Sequence, residues 1–170
     1  AALARAGGRG LSGAISVSGQ GCVNGTRVLV ERSIYEQYLG ILQTIAGYIP
    51  VGDPLDPATV MGPLISAASL QRILGAIEQA SADGARLVFG GQRLDGACAD
   101  GFFLPITLFA DVDHGSALAQ QEVFGPVLHV VRWDGEVDAL VAQINELGYG
   151  LTLGVQTRID SRALRVAERA

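Results

Sequence analysis

Two patterns of apolar residues alternate along the chain: a spacing of three to four residues, typical of helices, and short apolar runs typical of buried strands. The first predicts helices toward the end of 1–17, from Ser33 through Leu42, from Ser66 to near Gly84, between Trp133 and Tyr149, and from Asp160 onward. The second predicts strands at 27–30, 86–89, 102–109, 127–133 and 151–155. Alternating helices and strands favour an α/β fold whose sheet is mostly parallel.

Two serines stand where helices are expected to begin. Ser33 has Glu36 three residues later, the spacing of a capping box, and Ser66 precedes a run of apolar residues at helical spacing. Between these helices, residues 51–63 contain three prolines and two glycines, which predicts a loop. The chain of 170 residues shows no internal repeat or linker, so we expect one domain.

Composition and charge exclude several classes of protein. Apolar residues make up 49% of the chain and charged residues 17%, which is too apolar for intrinsic disorder. The net charge of −5 argues against nucleic acid and anionic membranes as partners, because both bind clustered cations. All 12 basic residues are arginine, so this chain cannot supply a lysine base or Schiff base.

Cysteines and histidines are few. Cys22 and Cys98 are too few for a disulfide framework, which favours a reducing, cytoplasmic location. Together with His114 and His129 they show none of the usual zinc-ligand spacings, so no metal site is predicted. The apolar runs are far shorter than the roughly 20 residues of a membrane span, and residues 1–13 do not resemble a signal peptide.

Cys22 is the main candidate for catalysis. It lies among small and polar residues, in Ser18-Gly19-Gln20-Gly21-Cys22-Val23-Asn24-Gly25, where glycines allow the backbone to approach a ligand closely. A thiolate there can attack a carbonyl carbon, and nearby backbone N–H groups can bind the oxyanion that forms. The alternative is a buried, unreactive cysteine, the commoner environment of this residue type.

Glu122 and Phe124 form a second candidate site, two positions apart just before the predicted strand at 127–133. In an extended backbone, residues i and i+2 point to the same side. The carboxylate can then hold ribose hydroxyls while the ring lies against a nucleotide. The alternative is a solvated glutamate beside a core phenylalanine.

Several motifs, taken in order, resemble those of the NAD(P)-dependent aldehyde dehydrogenase superfamily. They are Gly19-Gln20-Gly21-Cys22 followed by Gly25-Thr26-Arg27, Val51-Gly52-Asp53-Pro54 with Thr59 and Gly62-Pro63-Leu64-Ile65-Ser66, Gly90-Gly91 with Gly101-Phe102 and Pro105, Glu122-Val123-Phe124-Gly125-Pro126-Val127, and Asn145 with Tyr149-Gly150-Leu151. Each is short, but together they cover almost the whole chain. The resemblance implies that family's three-layer catalytic domain, with a mostly parallel sheet flanked by helices.

The resemblance implies roles for three residues. Cys22 matches the catalytic nucleophile, which forms a thiohemiacetal and then a thioester, and its backbone N–H contributes to the oxyanion hole. Glu122 matches the carboxylate that contacts the nicotinamide ribose, and Phe124 matches the aromatic residue packed near it. The implied cofactor is NAD or NADP, and the implied substrate is a small-molecule aldehyde, oxidised to a carboxylic acid. The full-length parent is expected to be a homo-oligomer.

The chain also departs from the family pattern. The family's general-base glutamate lies further upstream of the nucleophile than the 21 residues before Cys22 allow, and so do the oxyanion-hole asparagine and the dinucleotide-binding half. We therefore expect residues 1–170 to be a single catalytic domain truncated at both ends, without the dinucleotide-binding half and the oligomerisation segment. Such a fragment is expected to be nearly inactive alone.

The sequence leaves other functions open. The chain can be a non-catalytic binding or interaction domain of the same fold, or part of a CoA-acylating aldehyde dehydrogenase, which releases the acyl group to CoA. Asn24-Gly25-Thr26-Arg27 is similar to the betaine-aldehyde branch, whereas Gly148-Tyr149-Gly150-Leu151-Thr152 with Thr157-Arg158-Ile159-Asp160 is similar to the glutamate-semialdehyde branch, so the sequence assigns no aldehyde.

A dinucleotide-binding site within the chain is a further alternative. Gly8-Arg9-Gly10-Leu11-Ser12-Gly13 fits the G-x-G-x-x-G pattern, and Glu31 lies near the position of a ribose-binding acid. This hypothesis requires a strand before Gly8. Residues 1–7 are helix-prone and contain no β-branched residue, which argues against it.

Overall fold

The structure is a computed structural model that describes residues 2–148 and 150–170. In chain order its elements are α1 (Ala2–Ile15), β1 (Arg27–Glu31), α2 (Tyr35–Ala46), α3 (Ala67–Ala82), β2 (Arg86–Phe89), β3 (Thr107–Ala110), α4 (Ala117–Gln120), β4 (Val127–Trp133), α5 (Val137–Asn145) and α6 (Asp160–Ala167). Short 3-10 turns cover Ser16–Gly19, Arg32–Ile34 and Gly96–Cys98.

The four strands form one sheet in the order β1-β4-β3-β2. β4 pairs in parallel with β1 on one side and with β3 on the other, and His129 lies opposite both Arg27 and Phe109. β2 is antiparallel to β3 at one edge. The loop between these two strands contains no crossover helix, so the chain returns in the opposite direction. The prediction of a mostly parallel sheet is confirmed.

Helices cover both faces of the sheet and create two apolar cores. On one face, Leu128 and Val130 of β4 pack with α1 and α2, through side chains such as Leu11 and Leu42. On the other, the alternate residues Val127 and Val131 pack with α3, and these side chains join Ile73, Ile77 and Phe109 in one cluster. Because neighbouring residues of a strand point to opposite faces, β4 contributes to both cores. The result is the predicted three-layer arrangement.

A network of hydrogen bonds and salt bridges connects α2 and the strands at the carboxyl end of the parallel strands. The Tyr35 hydroxyl is buried, donates to the carbonyl oxygen of Val130 at 3.3 Å and accepts from the Asp111 N–H at 2.8 Å. The Asp111 carboxylate bonds to Arg86 at 2.7 Å and to Arg132 at 3.2 Å. Partial burial opposes ionisation of Asp111, but the bond to Arg86 and the positive charges outweigh it and lower the pKa of this carboxyl.

One of the two predicted helix caps is confirmed. Ser66 precedes α3, and its Oγ accepts from the Ser69 N–H at 3.1 Å. The prediction for Ser33 is wrong, because this residue lies inside the 3-10 turn that leads into α2 and its hydroxyl donates to Glu31 at 3.3 Å. Glu36 bonds to Arg132 at 3.1 Å instead of completing a capping box.

Two predicted strands need correction. Of residues 102–109, only the last three belong to β3, because the Phe102 carbonyl accepts from Leu64 and the Phe103 carbonyl from Leu94, both in loops. Residues 151–155 form no strand and are exposed. Their alternating apolar pattern is that of a strand, but a strand requires a neighbour for its backbone groups, and the sheet ends at β1.

The dinucleotide-binding alternative within the chain is also wrong. Gly8, Gly10 and Gly13 lie inside α1, and residues 2–7 are helical, so no strand leads into the glycines. In addition, no helix in the described part of the chain is long and apolar enough to cross a membrane.

His129 makes the stability of the fold depend on pH. Its side chain is 5% exposed, and burial, followed by the charges of Arg27 and His114, lowers its pKa to about 3. Between pH 7 and 5 the unfolded chain therefore gains a proton that the folded chain does not. We expect the free energy of unfolding to fall by about 2 kcal/mol over this range in urea titrations.

A pair of variants isolates this effect. His129→Leu removes the titrating group, so its stability is expected to change less between pH 7 and 5, whereas His114→Gln keeps the dependence. An identical pH dependence in the wild type and His129→Leu would show that folding does not lower the pKa of His129.

Candidate active site

The parallel pairing of β1 and β4 brings the two candidate segments together. Cys22 lies in the loop before β1, and Glu122 and Phe124 lie in the loop before β4. Parallel strands begin at the same edge of the sheet, so both loops lie at the amino edge. A bond from the His129 N–H to the Thr26 carbonyl, 3.0 Å long, continues the pairing into the loop that carries Cys22.

The loop at residues 16–24 has an unusual backbone. Val17 has φ 53° and ψ 41°, and Ser18 has φ 54° and ψ 36°, so two residues other than glycine adopt the left-handed conformation in succession. Gly19 continues it with φ 73°. Each such residue other than glycine costs about 1–2 kcal/mol, so contacts elsewhere must hold this conformation.

Hydrogen bonds hold this loop against its neighbours. The Ser18 hydroxyl donates to the Gly62 carbonyl at 3.0 Å, and the side-chain oxygen of Gln20 accepts from the Ile65 N–H at 3.0 Å. The Thr152 hydroxyl donates to the Val23 carbonyl at 3.0 Å. The loop is therefore attached to the segment that precedes α3 and to the segment that follows α5.

Cys22 lies at the tip of this loop and its side chain is exposed. A turn closed by the Asn24 N–H and the Gly21 carbonyl, 3.0 Å apart, presents it. In the described part of the chain, the Cys22 N–H donates to no acceptor. The alternative of a buried cysteine is wrong for this side chain, because Cys22 is exposed.

Direct backbone contact connects the Cys22 loop to the second segment. A Cβ atom at Gly19 would lie 2.2 Å from the carbonyl carbon of Gly125 and 2.3 Å from the nitrogen of Pro126. No side chain fits in this space. The two loops therefore touch at Gly19 and Gly125, so the loop that carries Cys22 and the loop that carries Phe124 lie side by side.

Phe124 also adopts a left-handed conformation, with φ 51°. The extended backbone assumed in the sequence argument therefore ends there, and alternation alone does not place Glu122 and Phe124 on one side. The guanidinium of Arg72, on α3, donates to the carbonyl oxygens of Val123 and Phe124, the latter at 3.3 Å. The Phe124 side chain remains 39% exposed.

Glu122 is exposed and borders a cavity of about 340 Å³ between α3 and α4. Arg72 and Gln121 line the same cavity. A larger cavity, of about 490 Å³, lies between the end of β4 and α5, and neither Cys22 nor Glu122 lines it. Cys22 and Phe124 line neither cavity. We therefore place the candidate site at the amino edge of the sheet, where the loops that carry Cys22 and Phe124 approach each other, and Glu122, two residues before Phe124, borders the smaller cavity.

The remaining candidates lie elsewhere. Cys98 is partly buried in a 3-10 turn, and the Asn145 amide donates to the Arg169 carbonyl at 2.8 Å, a structural contact. Tyr149, from the same motif, lies outside the described residues. Within 2–148 and 150–170, no group of three or more histidine, cysteine or acidic side chains is arranged to hold a metal ion.

Sequence reasoning missed two residues at this site, Asn24 and Arg72. The dipeptide Asn24-Gly25 is a turn signal and could have drawn attention to the residue. Arg72 carries no such signal, because its partners are backbone carbonyls 51 and 52 positions away in sequence.

Known proteins match the chain along its whole length. A sequence model described as "Aldehyde dehydrogenase family" matches residues 1–170. Betaine aldehyde dehydrogenase 1 from Rhizobium meliloti is 43% identical over 152 residues, which are 89% of this chain and 31% of the relative. The chain thus spans about a third of the length of such relatives.

Solved structures give the same result for the fold. An aldehyde dehydrogenase from Mycobacterium tuberculosis, complexed with NAD+, matches with a TM-score of 0.89 and 40% identity over 94% of this chain and 33% of that protein. A double mutant of betaine aldehyde dehydrogenase from Staphylococcus aureus, also with NAD+, has a TM-score of 0.95 and 32% identity over 98% of this chain and 33% of that protein.

The contact between Gly19 and Gly125 generates a prediction. Gly19→Ala places a methyl group inside the backbone of Gly125 and Pro126, at a positive φ. We expect the free energy of unfolding to fall by about 2–4 kcal/mol in urea titrations. Gly8→Ala is the control, because a Cβ at Gly8 meets nothing within 4 Å and alanine favours the helix by about 0.5–1 kcal/mol. Equal stability of the wild type and Gly19→Ala would contradict the contact.

Proposed function

Because the chain belongs to the aldehyde dehydrogenase family, we propose that it is the catalytic domain of an NAD(P)-dependent aldehyde dehydrogenase in which Cys22 is the nucleophile. The observation that carries the proposal is an exposed thiol on a hydrogen-bonded loop, in backbone contact with the segment that bears Glu122 and Phe124. The proposed reaction oxidises a small aldehyde to a carboxylic acid.

The first step uses Cys22 alone. The thiolate sulfur attacks the aldehyde carbon, a C–S bond forms, and the carbonyl π electrons move to oxygen. The resulting oxyanion needs a hydrogen-bond donor, and the Cys22 backbone N–H is open to supply one. The turn between Gly21 and Asn24 fixes this N–H relative to the sulfur.

Glu122 and Phe124 fit the nicotinamide end of a dinucleotide. The Glu122 carboxylate is exposed and can accept hydrogen bonds from ribose hydroxyls, and the half-exposed Phe124 ring offers a flat apolar surface beside the Cys22 loop. When bound, NAD(P) supplies a two-electron acceptor for the hydride that leaves the former aldehyde carbon. Arg72 holds the carbonyls of Val123 and Phe124, and so fixes the backbone that carries the ring.

Release of the product completes the reaction. A water molecule attacks the thioester carbon, the C–S bond breaks, the acid leaves, and the thiol is restored. We assign the general base that activates this water, and the rest of the dinucleotide site, to sequence beyond residues 1–170, because relatives are about three times as long. The proposed assembly is a homo-oligomer of the full-length protein in the cytoplasm.

Exposed apolar side chains near Cys22 support the proposal that sequence beyond residues 1–170 completes the site. Val17 and Val23, on the Cys22 loop, are 72% and 59% exposed, and Ile65, whose N–H bonds to Gln20 of that loop, is 81% exposed. Apolar groups gathered around one reactive residue are typical of a surface that a substrate, a cofactor or a further domain covers. The same exposure argues that residues 1–170 are nearly inactive alone.

Betaine aldehyde is the first substrate to test. The curated relatives are named betaine aldehyde dehydrogenases, and Asn24-Gly25-Thr26-Arg27 is similar to that branch. We propose that the aldehyde pocket of the full-length enzyme combines residues 1–170 with the rest of the protein. For residues 1–170 we therefore propose a class of substrate, small aldehydes, and not one compound.

The reactivity of Cys22 tests the proposal. Iodoacetamide is expected to alkylate Cys22 at least about tenfold faster than Cys98 in the folded chain, because Cys22 is exposed and Cys98 is partly buried. The variants Cys98→Ser and Cys22→Ser each leave one thiol, so mass spectrometry gives each rate separately.

Unfolding provides the control. In concentrated urea the two rates are expected to converge, since the loop that presents Cys22 is then lost. Equal rates in the folded chain would count against Cys22 as the nucleophile.

A further inference from the structure

The Asn24 side chain joins the two ends of the loop at residues 16–24, which carries Cys22. Its amide nitrogen donates to the Ser16 carbonyl at 2.8 Å, and its backbone N–H donates to the Gly21 carbonyl at 3.0 Å. A Cβ atom at Gly21 would lie 3.1 Å from the Asn24 side-chain oxygen. The amide group therefore lies inside the loop, in contact with both of its sides.

The loop needs such an internal link. Val17 and Ser18 are left-handed, a conformation that they do not hold without support. The Ser16 carbonyl lies just after α1, where helix carbonyls lose their partners, and Asn24 supplies a donor. The contacts made by Ser18, Gln20 and Thr152 attach the loop to other segments. They do not fix the turn that carries Cys22 relative to the end of α1.

We propose that Asn24 is a positioning residue: its amide closes the loop at residues 16–24 and thereby fixes the direction of the Cys22 backbone N–H toward a developing oxyanion. This inference rests on the proposed function of Cys22. It assigns Asn24 a role in carbonyl chemistry, although Asn24 itself touches no reacting atom.

Two reagents separate positioning from general reactivity. Iodoacetamide alkylates a thiolate by displacing iodide, and no oxyanion forms. With p-nitrophenyl acetate, the sulfur bonds to the acetyl carbon, an oxyanion develops, and p-nitrophenolate leaves, which absorbance detects. Because both reagents consume the same thiolate, the ratio of acylation to alkylation rates cancels changes in the thiolate fraction. Loss of the oxyanion contact slows acylation and not alkylation, so it lowers this ratio.

The experiment uses the chain with Cys98→Ser, so that Cys22 is the only thiol. Asn24→Ala is expected to lower the ratio of acylation to alkylation at least about fivefold, because a misdirected N–H no longer stabilises the oxyanion. Asn145→Ala is the matched control, because the Asn145 amide also donates to a backbone carbonyl, that of Arg169, at 2.8 Å. Loss of this bond is expected to leave the ratio of acylation to alkylation unchanged.

A second variant, Asn24→Asp, keeps the test valid if Asn24→Ala does not fold. Asn24→Asp keeps the size of the side chain and cannot donate to the Ser16 carbonyl when ionised, so it is expected to lower the same ratio. Circular dichroism confirms that each variant is folded before the rates are compared.

The outcomes distinguish this inference from the proposed function. A reactive Cys22 whose ratio is unchanged in both Asn24 variants overturns the role of Asn24 and leaves the nucleophile intact. Parallel loss of both rates also overturns it, since that is the result of a structural role alone. A wild-type Cys22 that reacts no faster than Cys98 with either reagent overturns both.

Discussion

Contact between two stretches of backbone, at Gly19 and Gly125, is the constraint on which the candidate site depends. A side chain at Gly19 would overlap the carbonyl carbon of Gly125, so the loops meet only because that position has no Cβ. Gly125 is restricted in turn, because a Cβ there would lie 2.4 Å from the buried Ile73 side chain. Because neither position has a side chain, the Cys22 loop packs against the Phe124 loop, and the Phe124 loop packs against α3.

The two edges of the sheet carry different kinds of interaction. At the carboxyl edge, ionic and hydrogen bonds join β3, β4, β2 and α2 through Asp111, Arg132, Arg86 and Tyr35, and Arg132 also lies 4.3 Å from the centre of the Tyr35 ring. At the amino edge, strained loops expose a thiol and apolar groups. In many open α/β sheets ligands bind at the carboxyl ends of strands. Here salt bridges connect the elements at that end, and the candidate chemistry lies at the opposite end.

Local patterns predicted much of the fold, because helix faces and buried strands leave direct marks in the sequence. The face of α3, its cap at Ser66 and the apolar run of β4 are of this kind. Two predictions were wrong where an element or a side chain met different partners. The segment at 151–155 has the alternation of a strand but forms none, and at Ser33 a 3-10 turn and the bond between Arg132 and Glu36 replace the predicted capping box.

The candidate site shows the same division. Cys22, Glu122 and Phe124 were singled out from short motifs, and the structure brings the loops that carry Cys22 and Phe124 into contact, while their roles stay predictions. The groups that shape the site could not be singled out in this way, because Arg72 reaches carbonyls some 50 positions away and Gly19 acts through a contact across 106 positions of sequence. Such contacts depend on the register between β1 and β4, which places Arg27 opposite His129 and so sets which loop residues meet.

Strain at three residues connects the geometry to chemistry. Left-handed conformations occur on both of the loops that touch, at Val17, Ser18 and Phe124. The hydroxyl of Ser18, the residue after Val17, bonds to the Gly62 carbonyl, and the Phe124 carbonyl bonds to Arg72. A conformation with an energetic cost persists only where several contacts determine it together. Because those contacts come from α3, from residues 62–65 and from Thr152, the position of the Cys22 thiol depends on elements throughout the fold. The precision that the proposed carbonyl chemistry demands at one sulfur atom is therefore a property of the domain, and not of the loop alone.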